Sequence, residues 1–550
     1  MRFLSALIAS FFLLIGAIWA DEGRHHALSE EEIGSVQFAT SCAPKVAVAF
    51  NRAVALLHSF QYEKTREGFV EIVQQDPKCA MAYWGIAMSH YHGLWDNGDM
   101  NAGRSALRKA QEIAAATPST TAREKSYIDA LAEIYKEDAQ DKVAHAQHFE
   151  QKMAEMQAAY WDDSEAAIFH ALTLAITAPK TDKTFANQRR CGEILEPIFA
   201  KNPHHPGVAH YIIHCYDNPV LAERGLGAAR LYAKIAPASA HANHMPSHIF
   251  TRVGSWDESI SSNLRSAELA SADEAASQTG EARDQHLHAM DYLEYAYLQS
   301  GRVKQAKAVV DEMNSLKPVA GISLTGGYGN AAIPVRYALE RGDWQLASAL
   351  EASGEGVLWA QAITWMGIGV GSARTGNLEK AARAERTLAS LRDSSASQSQ
   401  YWSNQIEVQR REVAAWLSEK SGKPPDAIAM MRSAAELEES MDKHAVTPGA
   451  VIPAREMLAE LLAIHKQAQA ALDEYQAVLR VAPNRFNALY GAASAAEEAG
   501  NAVLAHELWN KLNEVAVGDE RPELVSARKK LAMFATPRNE TTVRTSSEVK

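Results

Sequence analysis

Histidines at helical spacing are the residues of this sequence best suited to chemistry. His210 and His214 are four residues apart, and so are His244 and His248. On a helix, residues four apart lie on one face with their Cβ atoms about 6 Å apart, so each pair can chelate one ion. Asp217 follows His210 by seven residues and returns to the same face. These spacings predict a transition-metal site.

Imidazole and carboxylate ligands together suit Zn, Cu or non-haem Fe, so the metal itself stays open. A catalytic zinc ion takes three protein ligands and a water, and a structural one takes four. A larger set predicts one ion with outer partners, or two ions bridged by a carboxylate. Mixed His and Asp ligation argues against a Cu(I) site built on sulfur. An open position would carry an activated water, with Asp291, Asp217 or Tyr295 transferring the proton.

Two other interpretations of the histidines remain open at this stage. They could form a hydrogen-bonded polar floor, or they could clamp the anionic end of a peptide, as in a scaffold that binds an extended segment of a protein partner. The zinc-protease helix is excluded, because Tyr211 and not Glu follows His210. Neither a nucleophile elbow nor a phosphate-binding glycine loop occurs, so enzyme activity is undecided.

Length and composition indicate a repeat array. A chain of 550 residues exceeds one ordinary hydrophobic core, and alanine-rich amphipathic segments favour helices throughout. The net charge of -12 offers no basic surface for nucleic acid. Residues 1–20 fit a signal peptide, with an uncleaved anchor as the alternative, and 21–45 form an N-terminal segment, so we expect a periplasmic or secreted protein. No later segment reaches the ~18 apolar residues of a membrane helix, so no membrane span is expected after cleavage.

A period of about 34 residues recurs along most of the chain. Two successive units carry Leu458, Ala459, Leu462, Ala471, Tyr475, Val478 and Pro483, and then Leu489, Ala492, Ala493, Gly500, Ala505, Trp509 and Leu512. These units resemble tetratricopeptide repeats, which implies an all-α fold, a right-handed superhelical α-solenoid, over residues 46–533. Residues 95–165 and 385–450 fit the repeat poorly, and the polar stretch 534–550 is expected to be disordered.

Four phrases also resemble a group of secreted bacterial tetratricopeptide proteins. They are residues 56–60 (LLHSF), 79–85 (CAMAYWG), 205–214 (HPGVAHYIIH) and 244–250 (HMPSHIF). That resemblance implies a fold and no settled activity, so function has to be argued from the site.

In the tetratricopeptide family, positions 2, 5, 9 and 12 of the first helix of each repeat line the concave groove. Counted back from Pro237, Gly254 and Gly301, that map places nine candidate residues on the groove face within 204–295: His210, His214, Asp217, His241, His244, His248, His288, Asp291 and Tyr295. Arg336 falls on the same face of the next repeat, where it could hold a carboxylate or phosphate of a ligand, and His92 lies near the groove.

Four cysteines complete the set of reactive residues. Cys42 and Cys79 stand just before helices of neighbouring repeats, so a disulfide between them is plausible, with two buried thiols as the alternative. Cys215 lies in the histidine region and could be a soft metal ligand or simply packed. His145 is expected to be solvated, on a polar helix.

Overall fold

The computed structural model describes residues 28–95, 98–137, 142–277, 280–319, 323–352 and 356–535. The N-terminal half of this part contains α1 (Glu30–Ile33), a 3-10 turn (Pro44–Val46), α2 (Ala47–His58), α3 (Tyr62–Gln75), α4 (Ala80–Met88), α5 (Met100–Ala116), α6 (Ala122–Ala132), α7 (Lys142–Ala159), α8 (Ser164–Thr177), α9 (Ala186–Lys201), α10 (Pro206–Tyr216), α11 (Ala222–Ile235), α12 (Ala240–His244) and α13 (Pro246–Val253).

The C-terminal half continues in the same manner. It contains α14 (Trp256–Ser277), α15 (Gly280–Gln299), α16 (Val303–Ser315), α17 (Leu324–Glu340), α18 (Trp344–Ala349), α19 (Leu358–Arg374), α20 (Leu378–Ala396), α21 (Gln400–Lys420), α22 (Pro424–Glu439), α23 (Ala454–Ile464), α24 (Ala468–Val481), α25 (Phe486–Glu498), α26 (Ala502–Val515) and α27 (Pro522–Ala535). Helices adjacent in sequence pack as pairs, and the described ranges contain no strand. The predicted all-α solenoid is therefore confirmed.

Glycines end the first helix of many repeats. Five glycines at these turns have φ values between 65° and 86°, in the left-handed region where glycine is unstrained: Gly254, Gly301, Gly342, Gly376 and Gly500. Where the repeat signal was weak, the chain still forms long helices, α5 to α7 and α20 to α22. Missing turn glycines do not by themselves account for the weak signal, because Gly422, between α21 and α22, also has a φ of 76°.

The solenoid closes on itself, so the concave face is not an open groove. Trp256 Nε1 donates to the Asn484 carbonyl at 2.9 Å, and Val517 N donates to the Ser300 carbonyl at 3.0 Å. These contacts dock the C-terminal repeats on the middle ones. At the other end, α2 packs on α10, which carries His210. Most groove positions predicted from the repeat map are consequently buried by the chain itself.

Residues 440–453, between α22 and α23, form a connection much longer than the usual link between packed helices. Lys443 of this segment reaches Asp217, and the Thr447 carbonyl accepts a hydrogen bond from Tyr292 at 2.8 Å. His444 stacks on Trp402 with the ring centroids 5.4 Å apart. The connection therefore joins the C-terminal repeats to the histidine region.

Two disulfides link neighbouring elements. Cys42 is bonded to Cys79, across 37 residues of chain. Cys191 on α9 is bonded to Cys215 on α10, which the sequence reasoning did not foresee. The suggestion that Cys215 is a soft metal ligand is thereby corrected, because its sulfur is used in a covalent bond.

The structure bears on three further predictions, which concern the exposure of His145, the C-terminal segment and a membrane-spanning helix. His145 is buried rather than solvated, on a helix that packs against both α6 and α8. The helix α27 ends at Ala535, so it enters the segment expected to be disordered, while residues 536–550 and the expected signal peptide lie outside the described residues. Within the described part of the chain, no helix is both long and apolar enough to cross a membrane.

Candidate metal centre

Six histidines from three consecutive repeats meet in the interior as two adjacent sets of three. The first triad is His210 and His214 on α10 with His241 on α12, and the second triad is His244 on α12, His248 on α13 and His288 on α15. In each set, one ligand atom per histidine lies within 4.8 Å of the others. All six were predicted site residues, and the structure brings them together.

The first triad converges on its Nε2 atoms. His210 Nε2 lies 3.0 Å from His214 Nε2 and 3.0 Å from His241 Nε2. The other ring nitrogen of His210, Nδ1, donates to the carbonyl of His58 at 2.6 Å. This bond fixes the neutral His210 ring with its Nε2 lone pair pointing at the other two histidines.

The second triad is built across a break in a helix. Pro246 lacks a backbone N–H and starts α13, and only Met245 separates it from the end of α12. His244 and His248 therefore lie on either side of this junction. Their Nε2 atoms lie 3.0 Å apart. The ring of His288 lies over His244, with the centroids 4.1 Å apart. His288 Nδ1 is buried and finds no hydrogen-bond partner among the described residues.

Two oxygen acceptors orient the second triad. His244 Nδ1 donates to Asn263 Oδ1 at 2.7 Å. The Asn263 amide nitrogen donates to the Ser259 carbonyl, so the oxygen of this amide is the atom that faces His244. His248 Nδ1 donates to Asp217 Oδ2 at 2.9 Å. Hydrogen bonds from the non-ligating nitrogen to a carbonyl or carboxylate are typical of metal-binding histidines.

Asp217 orients a histidine and is not a member of either triad. Its carboxylate also accepts from Arg252 Nε at 2.8 Å and from Lys443 Nζ at 2.6 Å. Burial alone would raise the pKa of Asp217, but Lys443 and Arg252 hold it well below its ordinary value. The sequence allowed Asp217 as a metal ligand, as an outer partner or as a proton-transfer group. In the structure its oxygens contact two cations and His248, which is the arrangement of an outer partner.

Asp291 and Tyr295 belong to neither triad, and both contact arginines instead. Asp291 Oδ1 accepts from Arg336 Nη1 at 2.6 Å, and the Tyr295 hydroxyl bonds Arg485 Nη1 at 3.3 Å. Arg336 is fully buried and also contacts Glu294 at 3.0 Å, so carboxyl groups of the chain itself occupy the position expected for a bound ligand. Burial raises the pKa of Glu294 to about 8, against the lowering effect of Arg336.

Aromatic rings cover the first triad. Phe60 contacts the rings of His210, His214 and His241, with centroid distances of 4.4, 5.7 and 5.5 Å. Its φ of 54° is unusual for a bulky residue and is held by the packing between α2 and α3. His92, predicted near the groove, stacks on Tyr62 with the two ring centroids 3.9 Å apart. It therefore lies outside the rings that cover the first triad.

A third buried polar cluster, formed by His58, Glu165 and His205, contacts α10 through Tyr211. Glu165 accepts from His58 Nε2 at 2.9 Å and from His205 Nε2 at 2.8 Å. His58 Nδ1 lies 2.9 Å from the Tyr211 hydroxyl. Sequence reasoning missed His58 and Glu165, because they lie 152 and 45 residues before His210 and no local spacing connects them. The contacts of His58 with Glu165 and Tyr211 hold His58 in place, and its carbonyl accepts the hydrogen bond from His210 Nδ1.

Burial dominates the electrostatics of the histidines. It lowers the pKa of His210 to about 3, and it lowers the pKa of the other five below the ordinary value, with neighbouring imidazoles adding to the effect in most of them: His214, His241, His244, His248 and His288. His214 alone among the six is partly exposed. The rings are therefore neutral at pH 7, the form in which imidazole binds metals.

A cavity of about 670 Å³ lies between the middle and C-terminal repeats, and none of the six histidines is among its lining residues. Arg252, Lys443 and Thr447 line one side, and Trp359 and Trp402 line another. The first two of these residues hold Asp217. The cavity is therefore next to the outer partners of the triad rather than to the imidazoles.

No protein-family model and no curated protein matches the sequence. Among solved structures, the crystal structure of yeast Tom70 aligns with a TM-score of 0.30 and 10% identity, covering 89% of this chain and 96% of that chain. Human IFIT1 dimers with PPP-AAAA and with m7Gppp-AAAA align at TM-scores of 0.36 and 0.35, both with 11% identity, covering 84% and 87% of this chain and 88% and 91% of theirs. Similarity at these TM-scores supports no inference about function.

Proposed function

We propose that this solenoid binds two transition-metal ions, one in each three-histidine set. The observation that carries the proposal is the contact between His244 and His248. Both rings use Nδ1–H to donate to an oxygen, Asn263 Oδ1 in one case and Asp217 Oδ2 in the other. In neutral rings both Nε2 atoms are then bare acceptors, and they face each other at 3.0 Å. Two lone pairs at that distance require a cation between them.

A metal ion satisfies this requirement better than a proton. Protonation of either ring would bury an imidazolium, and burial lowers the pKa of both His244 and His248. With Zn–N bonds of 2.0–2.1 Å and tetrahedral angles, ligand nitrogens lie about 3.3 Å apart, close to the spacing in both triads. His288 supplies a third ring to the set.

The first triad has the same form. Three imidazoles converge, and a carbonyl oxygen fixes the tautomer of His210. In this set, His214 and His241 can each donate an Nε2–H to His210 in the metal-free protein, so the proposal rests on the contact between His244 and His248. The repetition of the arrangement one repeat later favours an ion in both places.

Burial counts against the alternative, a scaffold that binds a peptide through these histidines. Five of the six rings are buried beneath the chain's own segments, so an extended peptide could reach only His214 directly. A polar floor without metal would leave the His244 and His248 lone pairs opposed. Metal binding accounts for both features.

The test is the metal stoichiometry of the untagged protein after loading with Zn²⁺ or Co²⁺ and removal of free ions by dialysis. We expect two ions per chain. Replacing His210 and His241 by Ala should leave one ion, and so should replacing His244 and His248. The matched control is His204→Ala, which removes an exposed histidine just before α10. Circular dichroism establishes that each variant is folded.

Wild-type protein that retains no ion after loading would contradict the proposal. So would folded double variants that bind as much metal as the wild type. Co²⁺ adds an independent reading on the wild type alone, because visible absorption distinguishes low-coordinate imidazole sites from the hydrated ion.

A further inference from the structure

The charge of the two triads restricts which metal they hold. In the described part of the chain, neither set includes a carboxylate, so all six ligands are neutral. Asp217, which touches His248, is already paired with Arg252 and Lys443. Two divalent ions would bring four positive charges into a buried site and would rely on bound anions such as hydroxide to offset them. Two monovalent ions would bring two.

Among the metals that imidazole binds well, Zn, Cu, Fe and Ni, copper is the one with a common monovalent state. The sequence argument against Cu(I) assumed aspartate ligands, and the structure places both aspartates outside the triads. Three neutral nitrogen donors suit an ion of low charge. The ligand set thus favours a pair of Cu(I) ions.

The two triads are adjacent enough to act on one small molecule. His214 and His248 have ring centroids 6.2 Å apart, and His241 and His244 have centroids 6.3 Å apart. Within the triads, the corresponding distances run from 4.1 to 6.5 Å. The six rings therefore form one continuous band, and two ions within it would be near neighbours.

The surroundings admit small neutral molecules more readily than ions. Phe60 and Trp95 cover the first triad, and the Tyr292 ring lies against all three histidines of the second. His214 is the one ring of the six with partial exposure. Charged reagents would have to shed their hydration to pass these walls, and dioxygen would not.

Resting on the proposed function, we propose that the two triads hold a pair of Cu(I) ions that binds one dioxygen between them. Each copper gives one electron and becomes Cu(II), and dioxygen takes both electrons to become a bridging peroxide with its O–O bond intact. No proton is consumed. The total charge stays at two positive units, because the peroxide's two negative charges offset the rise on the metals. The six neutral imidazoles therefore need no additional negative charge from the protein, either before or after dioxygen binds.

The experiment loads the untagged protein with Cu(I) under anaerobic conditions and then adds dioxygen in measured portions. We expect two copper ions per chain and the uptake of one dioxygen per two coppers. Variants with one triad removed, His210→Ala with His241→Ala or His244→Ala with His248→Ala, should bind one copper and show no such stoichiometric uptake. His204→Ala should behave as the wild type.

A second measurement uses the wild type alone, in case the variants fold poorly. After dioxygen is added, the X-ray absorption edge should show Cu(II), while electron paramagnetic resonance should stay largely silent because the bridge couples the two ions. Failure to bind two coppers by a protein that binds two Zn²⁺ or Co²⁺ ions would overturn the copper proposal alone, and failure to bind any of these metals would overturn the proposed function itself. Two bound coppers with no dioxygen uptake, or with the full signal of isolated Cu(II), would overturn only the dioxygen proposal.

Discussion

Replacing Asn263 by Ala tests how the second triad is positioned. The Asn263 oxygen accepts the Nδ1–H of His244 at 2.7 Å, and this contact fixes the ring that faces His248. Loss of such an outer partner usually weakens metal binding 10- to 100-fold, or about 1.4–2.7 kcal/mol. We therefore expect one of the two ions to bind 10- to 100-fold more weakly, with the other changed by less than about twofold.

The assay is competition for Co²⁺ or Zn²⁺ with a chelator of known affinity, which resolves two binding steps. Asn187→Ala is the matched control, since that half-buried side chain on α9 bonds Leu174 and Thr177 and touches neither triad. Asn263→Asp keeps the acceptor oxygen and should restore most of the affinity. Equal weakening of both ions, or no weakening of either, would refute this account of the second triad.

Three further predictions concern stability and the first triad. Replacing Cys42 and Cys79 by Ser opens a 37-residue loop and should lower the free energy of unfolding by up to about 4 kcal/mol in urea titrations. Burial raises the pKa of Glu294 from 4.5 to about 8, so its neutral form favours the fold; stability should fall as pH rises from 5 through 8, and Glu294→Gln should flatten that dependence in the urea midpoint. Gly207→Ala should lower the free energy of unfolding by about 1–3 kcal/mol and weaken binding of the ion in the first triad, because the new Cβ would lie 2.5 Å from Nδ1 of His58, whose carbonyl orients His210. The control is Gly227→Ala, whose Cβ would meet nothing within 4 Å, so it should change neither stability nor metal binding.

The elements and the six histidines were predictable because both depend on short spacings. A 34-residue period and turn glycines such as Gly254 mark the repeats, and positions four apart, as in His244 and His248, remain neighbours on any helix. Positional counting then placed histidines of three repeats on one face. Nothing beyond helix geometry and repeat register was needed for that part of the site.

The outer partners were not predictable, because they come from distant parts of the chain. Asn263 belongs to the helix that packs against α12, and Lys443 lies in a connection with no repeat signal. Closure of the solenoid depends on contacts such as Trp256 with Asn484, more than 200 residues apart. Asp217 was assigned to the metal for the same reason, because Lys443 and Arg252 could not be located from sequence. Arg336 was placed on the groove face, but its pairing with Asp291 was not foreseen.

The most direct test of the central claim is anomalous diffraction from crystals of the metal-loaded protein, recorded on either side of the absorption edge. The account predicts two peaks, each about 2.0–2.1 Å from one nitrogen of every histidine in one triad, His210, His214 and His241 or His244, His248 and His288. A single peak, peaks outside these sets, or His244 and His248 bridged by no metal in fully loaded crystals would contradict it.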